Sequence, residues 1–152
     1  MLATASLYLA RKYRAHLERQ CVLHPNDPIA LTYLARELHR SGRLIEAKEA
    51  IEEAWKLRSS GLDSRTGPKL DWISTATLRA FMLLSEQRHS DALQTVASCQ
   101  RVGRPHPNLF LLEASALEQM GDEPSLERAG VAIEKCLSLH GCLLYTSDAA
   151  DE

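Results

Sequence analysis

The chain has 152 residues, 45% of them hydrophobic, with 18 Lys and Arg against 20 Asp and Glu and a formal charge of −2. That length and apolar content suit one domain able to bury roughly two-thirds of the surface its unfolded chain would expose, and exclude a disordered chain of low hydropathy and high charge. The near-neutral balance supplies no domain-wide basic field for nucleic acid, and no apolar run approaches the roughly 18 residues that a membrane-crossing helix requires.

Gly and Pro are scarce, aromatic residues are 5%, and Ala, Leu, Glu and Arg dominate, which predicts an all-α protein. The apolar stretch at residues 1–10 precedes Arg11, Lys12 and Arg14 instead of following them, the reverse of a secretory signal, so a cytoplasmic location is expected. Cys21, Cys99, Cys136 and Cys142 contain no CxxC pair, and in that setting read as reduced, mostly buried small residues.

In chain order, residues 4–23 predict a first helix that ends at Leu23-His24-Pro25. Asp27 then suits an N-cap, accepting from exposed N–H groups, and Pro28 suits a first turn where no N–H is needed. Apolar residues at three- and four-residue spacing lie on both sides of one glycine: Leu34, Ala35 and Leu38 before Gly42, then Leu44, Ala47, Ile51, Ala54 and Trp55 after it. This predicts two amphipathic helices joined by a tight turn, with Gly42 adopting the left-handed conformation that ends a helix cheaply. Lys56 and Arg58 fall near the C-terminal end of the second helix, where positive charge is favoured.

The pattern recurs. Ala80 and Ala114 are 34 residues apart, as are Leu83 and Leu117, and Gln87 and Gly121. Ala47 and Ala92 are 45 apart, as are Ala54 and Cys99, so the first interval carries 11 extra residues, assigned to the Ser-, Gly- and Pro-containing stretch 58–69. In the third copy the Gly121-to-Ala129 distance is eight where Gly42 to Ala47 is five, which predicts a three-residue insertion around residues 122–125. The result is seven helices: a lone helix over 4–23 and pairs over about 28–59, 70–104 and 107–140.

These residues resemble the tetratricopeptide repeat, a 34-residue helix–turn–helix unit that keeps small residues where its two helices touch, as at Ala47 and Ala54 here. Leu31 stands where that family often has Trp, and Ala35 where it often has Gly. The resemblance implies an α-solenoid of stacked antiparallel helix pairs, in which Cys99 and Cys136 fill small packing positions; Trp55 and Trp72 read as core or inter-repeat packing residues. It also implies that Ile133 and Leu137, normally covered by a following helix, present an uncovered apolar strip.

In that family ligands lie in a concave groove lined by first helices. The equivalent positions here are Tyr33, Arg36 and Arg40, then Thr77 and Phe81, then Leu111, Ser115 and Glu118. Tyr33 with Arg36 and Arg40 would make a basic, partly aromatic entrance suited to an acidic or extended peptide. The Lys/Asn clamp by which one subclass holds a C-terminal carboxylate is not reproduced by Thr32, Arg36 and Leu78. Arg79 and Glu113 share one repeat position and could pair between neighbouring first helices.

Motifs for chemistry fail one by one. Gly61 and Gly67 are one residue too far apart for a phosphate loop, Pro68 precedes Lys69, and no Ser or Thr follows. HExxH, GxSxG and GxGxxG are absent, and the six histidines (16, 24, 39, 89, 106 and 140) have no metal-ligand spacing with the cysteines; His24, His89 and His106 read as solvated turn residues. No cofactor, metal or catalytic residue is therefore expected. The expected function is a non-catalytic scaffold whose partner is a protein or peptide, not nucleic acid or a membrane.

Residues 26–37 and 134–139 also bear a looser resemblance to the helical tails of bacterial family-two glycosyltransferases. Under that reading the catalytic domain, with its metal-binding DxD, lies outside this sequence. A sensory repeat domain of a regulator is a third reading, for which no DNA-reading helix is visible. Finally, residues 142–152 resemble the one-frame translation of a transposon-end sequencing adapter. The native sequence is then expected to stop near Gly141, leaving 18 basic against 17 acidic side chains.

Overall fold

The computed structural model describes residues 2–60, 71–102 and 105–150, with the backbone alone at 2, 3, 71 and 140–150. These residues form seven α-helices and no strand: α1 (Leu2–Leu23), α2 (Pro28–Arg40), α3 (Leu44–Ser59), α4 (Asp71–Ser85), α5 (His89–Val102), α6 (Pro107–Met120) and α7 (Glu123–Ala150). The stretch 61–69, with its glycines, lies outside the described residues. The chain divides into two compact units, Met1–Arg79 and Ala80–Glu152, with α4 contributing to both.

In the first unit, α1 packs on α2 and α2 on α3. Asp27 caps α2: its carboxylate accepts from the amides of Ile29 at 3.0 Å and Ala30 at 3.4 Å, and Pro28 opens the helix without an amide to satisfy. The helix ends on Gly42, at φ +81°. There the Ser41 amide donates to the Glu37 carbonyl and the Arg43 amide to the Leu38 carbonyl, so the last carbonyls of α2 are satisfied within the turn.

The second unit repeats this turn with a different residue. Gln87 has φ +63°, the one non-glycine at positive φ among the described residues. Glu86 and Arg88 donate to the carbonyls of Met82 and Leu83, the same pattern 45 residues on. Each turn is followed by the same ionic clip: Arg43 Nε donates to Glu46 at 2.8 Å, and Arg88 Nε to Asp91 at 2.9 Å. The third turn uses Gly121, at φ +76°, and replaces the clip by a cap, with Asp122 accepting from the Ser125 hydroxyl at 2.6 Å and the Ser125 amide at 3.2 Å.

The second helix of each pair begins two residues after the positive-φ residue: α3 at Leu44, α5 at His89, α7 at Glu123. The three extra residues of the third copy therefore do not lengthen the turn. They form most of the first turn of α7 and push Ala129 almost one helical turn along. Three residues are close to the 3.6 of a full turn, so the buried face is nearly preserved.

The buried residues are small where helices meet. Ala35, Ala47, Ala54, Ala76 and Ala80 are fully enclosed, and Ala92, Cys99, Ala114, Ala129 and Cys136 nearly so. Small side chains let helix axes approach closely, and the larger Ile51, Leu57, Val96, Leu109 and Leu117 fill the space between them. In the second unit, α6 packs on both α5 and α7, and Leu117 lies in a cluster with Ala114, Ala129 and Ala132, with Leu93 against it. On α7, Leu126, Val131, Ile133 and Leu137 are exposed.

Arg58 lies in the last turn of α3, where its sequence position places it. It is buried, at 7% exposure, and heads a relay between α3, α4 and α2. Its Nε donates to the Thr75 hydroxyl at 3.0 Å, the Thr75 and Thr32 hydroxyls bond at 2.8 Å, and Thr32 donates to the Pro28 carbonyl at 2.7 Å. Each hydroxyl has one proton, so Thr32, having donated to Pro28, accepts from Thr75. Nearby, the Trp55 and Trp72 rings meet edge to face at 5.3 Å, and Arg79 lies 5.1 Å from the Trp55 centroid while donating to Glu52 at 2.9 Å.

Candidate functional site

Three of the sequence-predicted site residues lie on α2. Tyr33 is exposed, and the Arg36 guanidinium lies 5.7 Å from its ring centroid, an arrangement that holds the aromatic face and the charge together at the surface. Arg40, one turn after Arg36, is exposed and pairs with Glu37 at 3.2 Å. Tyr33 also borders a small cavity with Ile29, Thr32, Arg58 and Ser74, of about 10 Å³, room for a single water. Thr77, on α4, is half-buried, and its hydroxyl is sealed from solvent with no hydrogen-bond partner.

In the second unit, the structure brings two predicted residues to one concavity. Phe81 and Ser115 line a hollow of about 480 Å³ together with Leu84, Ser85, Gln87, Leu112 and Gln119. Phe81 is 52% exposed, unusual for a phenylalanine unless something covers it. The rim is polar. Gln119 Oε1 lies 2.9 Å from His89 Nε2, and the Ser85 hydroxyl donates back to the Phe81 and Met82 carbonyls at 3.0 Å. Leu111 and Glu118 are both exposed on α6 and do not line this hollow.

The arrangement follows from the spacing. Arg36, Phe81 and Ser115 are separated by 45 and 34 residues, and so are Arg40, Ser85 and Gln119. Two positions four apart on a helix share a face, so the lining of the hollow by 81 and 85 from α4 and by 115 and 119 from α6 is a single face of each helix.

A second hollow, of about 450 Å³, lies between α1 and α2, and the sequence reading missed it. Leu7, Ala10, Arg11 and Arg14 line it from α1, and Glu37, Arg40 and Ser41 from α2. The signal was present: Leu7, Arg11 and Arg14 are at the i, i+4, i+7 spacing of one helical face.

Glu46 is held below the usual carboxylate range by the hydrogen bond from Arg43, with further help from the charges of Arg43 and Arg14. Asp122 is lowered by the Ser125 hydroxyl and then by backbone donors. Burial, then the charges of Asp27 and Glu18, push the Cys21 thiol up, away from a reactive thiolate. Cys99 and Cys136 are buried thiols. His106 is not simply solvated: its Nδ1 accepts from the Asn108 amide at 3.2 Å and caps α6. Among the described residues, no group of three His, Cys, Asp or Glu side chains is placed to hold a metal ion, and no helix is long and apolar enough to cross a membrane.

No protein-family model, curated protein or solved structure matches the chain.

Proposed function

We propose that this chain is a tetratricopeptide-type repeat module that binds a protein or peptide segment without catalysing a reaction on it. The observation that carries the reading is the hollow on α4 and α6, lined by the half-exposed Phe81, by Leu84 and Leu112, and by Ser85, Gln87, Ser115 and Gln119. An apolar floor takes a side chain, and hydroxyl and amide groups on the rim can bond the backbone of an extended peptide. The turns at Gly42 and Gln87, with the same hydrogen-bond pattern, and the small buried residues at equivalent positions support the repeat reading.

The test is selection of random 12-residue peptides on the immobilised chain, followed by Kd measurement for the enriched sequences against the Phe81→Ala and Tyr33→Ala/Arg36→Ala variants. The proposal expects enrichment of an extended motif with at least one large apolar residue, and a loss of about tenfold or more with Phe81→Ala, the scale of an aromatic anchor. Absence of enrichment, or Kd values that neither variant changes, would reject it.

A further inference from the structure

We propose that the hollow between α1 and α2 is a separate docking site for an acidic peptide segment. Three arginines line it, Arg11, Arg14 and Arg40, with one acidic residue, Glu37. Glu37 is already engaged by Arg40 at 3.2 Å. Among the described residues, no hydrogen bond or ion pair occupies Arg11 or Arg14, although Arg14 contributes to the field that depresses Glu46. The hollow thus has a net charge of +2, on a helix that itself carries Arg11, Lys12, Arg14 and Arg19 against Glu18 alone. This charge is local. The chain as a whole is formally −2, so the positive field belongs to one surface and is no general property of the protein.

The partner's chemistry follows from the walls. Free guanidinium forks match carboxylates bidentately, and their fixed planarity gives direction as well as attraction. Leu7 and Ala10 add an apolar wall along the same face, and Leu7 is 60% exposed. An apolar strip beside paired guanidinium groups suits a peptide alternating acidic and apolar side chains better than a phosphate backbone, which would leave Leu7 unburied. A hollow of about 450 Å³ accommodates two or three side chains, not a folded surface. The carbonyls at the end of α2, which would repel an anion, are turned to internal donors: those of Glu37, Leu38 and His39 accept from Ser41, Arg43 and Gly42.

The experiment separates this hollow from the one around Phe81. A fluorescein-labelled 12-residue peptide of alternating Glu and Leu is titrated by anisotropy into the full chain at low and physiological salt. The matched Gln/Leu peptide and a 12-nucleotide single-stranded DNA serve as alternative occupants. Arg11→Gln/Arg14→Gln, Glu37→Gln and Phe81→Ala are tested alongside, with circular dichroism checking that each variant keeps its helicity. The proposal expects the Glu/Leu peptide to bind, to weaken about five- to tenfold in Arg11→Gln/Arg14→Gln, to tighten in Glu37→Gln, to weaken with salt, and to be unaffected by Phe81→Ala. It is overturned if the Glu/Leu peptide does not bind, if the Gln/Leu peptide or the DNA binds as well, or if Phe81→Ala and not the arginine variant removes binding.

Discussion

Replacing Leu117 by Ala should destabilise the chain far more than the same change at Leu137. The two leucines belong to the helices of one pair, α6 and α7, yet Leu117 is fully enclosed while Leu137 is 63% exposed. Leu→Ala removes three carbons, roughly 2.4 kcal/mol at about 0.8 kcal/mol per buried methylene. A cavity term adds to this at Leu117. Three of the four residues packed around it are Ala114, Ala129 and Ala132, which have no side-chain length with which to close a void. The total is about 3–4 kcal/mol for Leu117→Ala and within about 0.5 kcal/mol of zero for Leu137→Ala. Urea denaturation followed by far-ultraviolet circular dichroism, with thermal melts in parallel, measures both. At roughly 2–4 °C per kcal/mol for a chain of this size, Leu117→Ala should lower Tm by about 10 °C. Equal effects, or a larger loss at Leu137, would refute the assignment of buried and open faces on α6 and α7.

Three further outcomes follow from local geometry. Gln87→Gly should stabilise the chain by about 0.5–1 kcal/mol in urea, because it relieves a left-handed backbone that Gly42 and Gly121 adopt without strain, whereas Gly121→Ala should destabilise by about 1 kcal/mol. Thr75→Val should cost about 1–3 kcal/mol and more than Thr32→Val, because it removes the hydroxyl that both accepts from buried Arg58 and donates to Thr32. Asp122→Asn should lower helicity at neutral pH, and the difference from wild type should fade as pH falls. The folded carboxyl titrates below its unfolded value near 3.9, so its contribution is complete above that value and lost as pH drops through the lower, folded one. Circular dichroism between pH 6 and 2 follows this; a difference that persisted at the acid end would contradict the cap.

The helices were legible because each leaves a local mark. Apolar periodicity gave the faces, Asp27 and Pro28 the start of α2, and Gly42 its end. Even Gln87, a residue that gives no turn signal, was located by its 34-residue distance from Gly121. What the sequence hid was chemistry assembled from distant positions. Residues 28, 32, 58 and 75 carry the buried relay, and Arg58 looked like a helix-end charge because its burial depends on threonines from two other helices. The arginine-lined hollow was hidden for the same reason: Arg11 and Arg14 entered the sequence reading only as basic residues after the first apolar stretch, and α2 brings Arg40 to the hollow they line. The concavity at Phe81 was half-visible: the family resemblance implied ligand-facing positions at 81 and 115, while Leu84 and Leu112 joined them only through packing. The three extra residues near Asp122 were legible as an insertion, and their helical conformation follows from the cap that Asp122 makes with Ser125.

The most direct measurement of the binding role is a ¹⁵N-correlation spectrum of the full chain, titrated with the tightest peptide from the random selection. The account predicts saturable shifts concentrated on Phe81, Ser85, Ser115 and Gln119, the face shared by α4 and α6, with the buried amides of Ala47 and Ala54 unmoved. A spectrum that stays unchanged, or shifts spread evenly over surface residues without saturation, would contradict it.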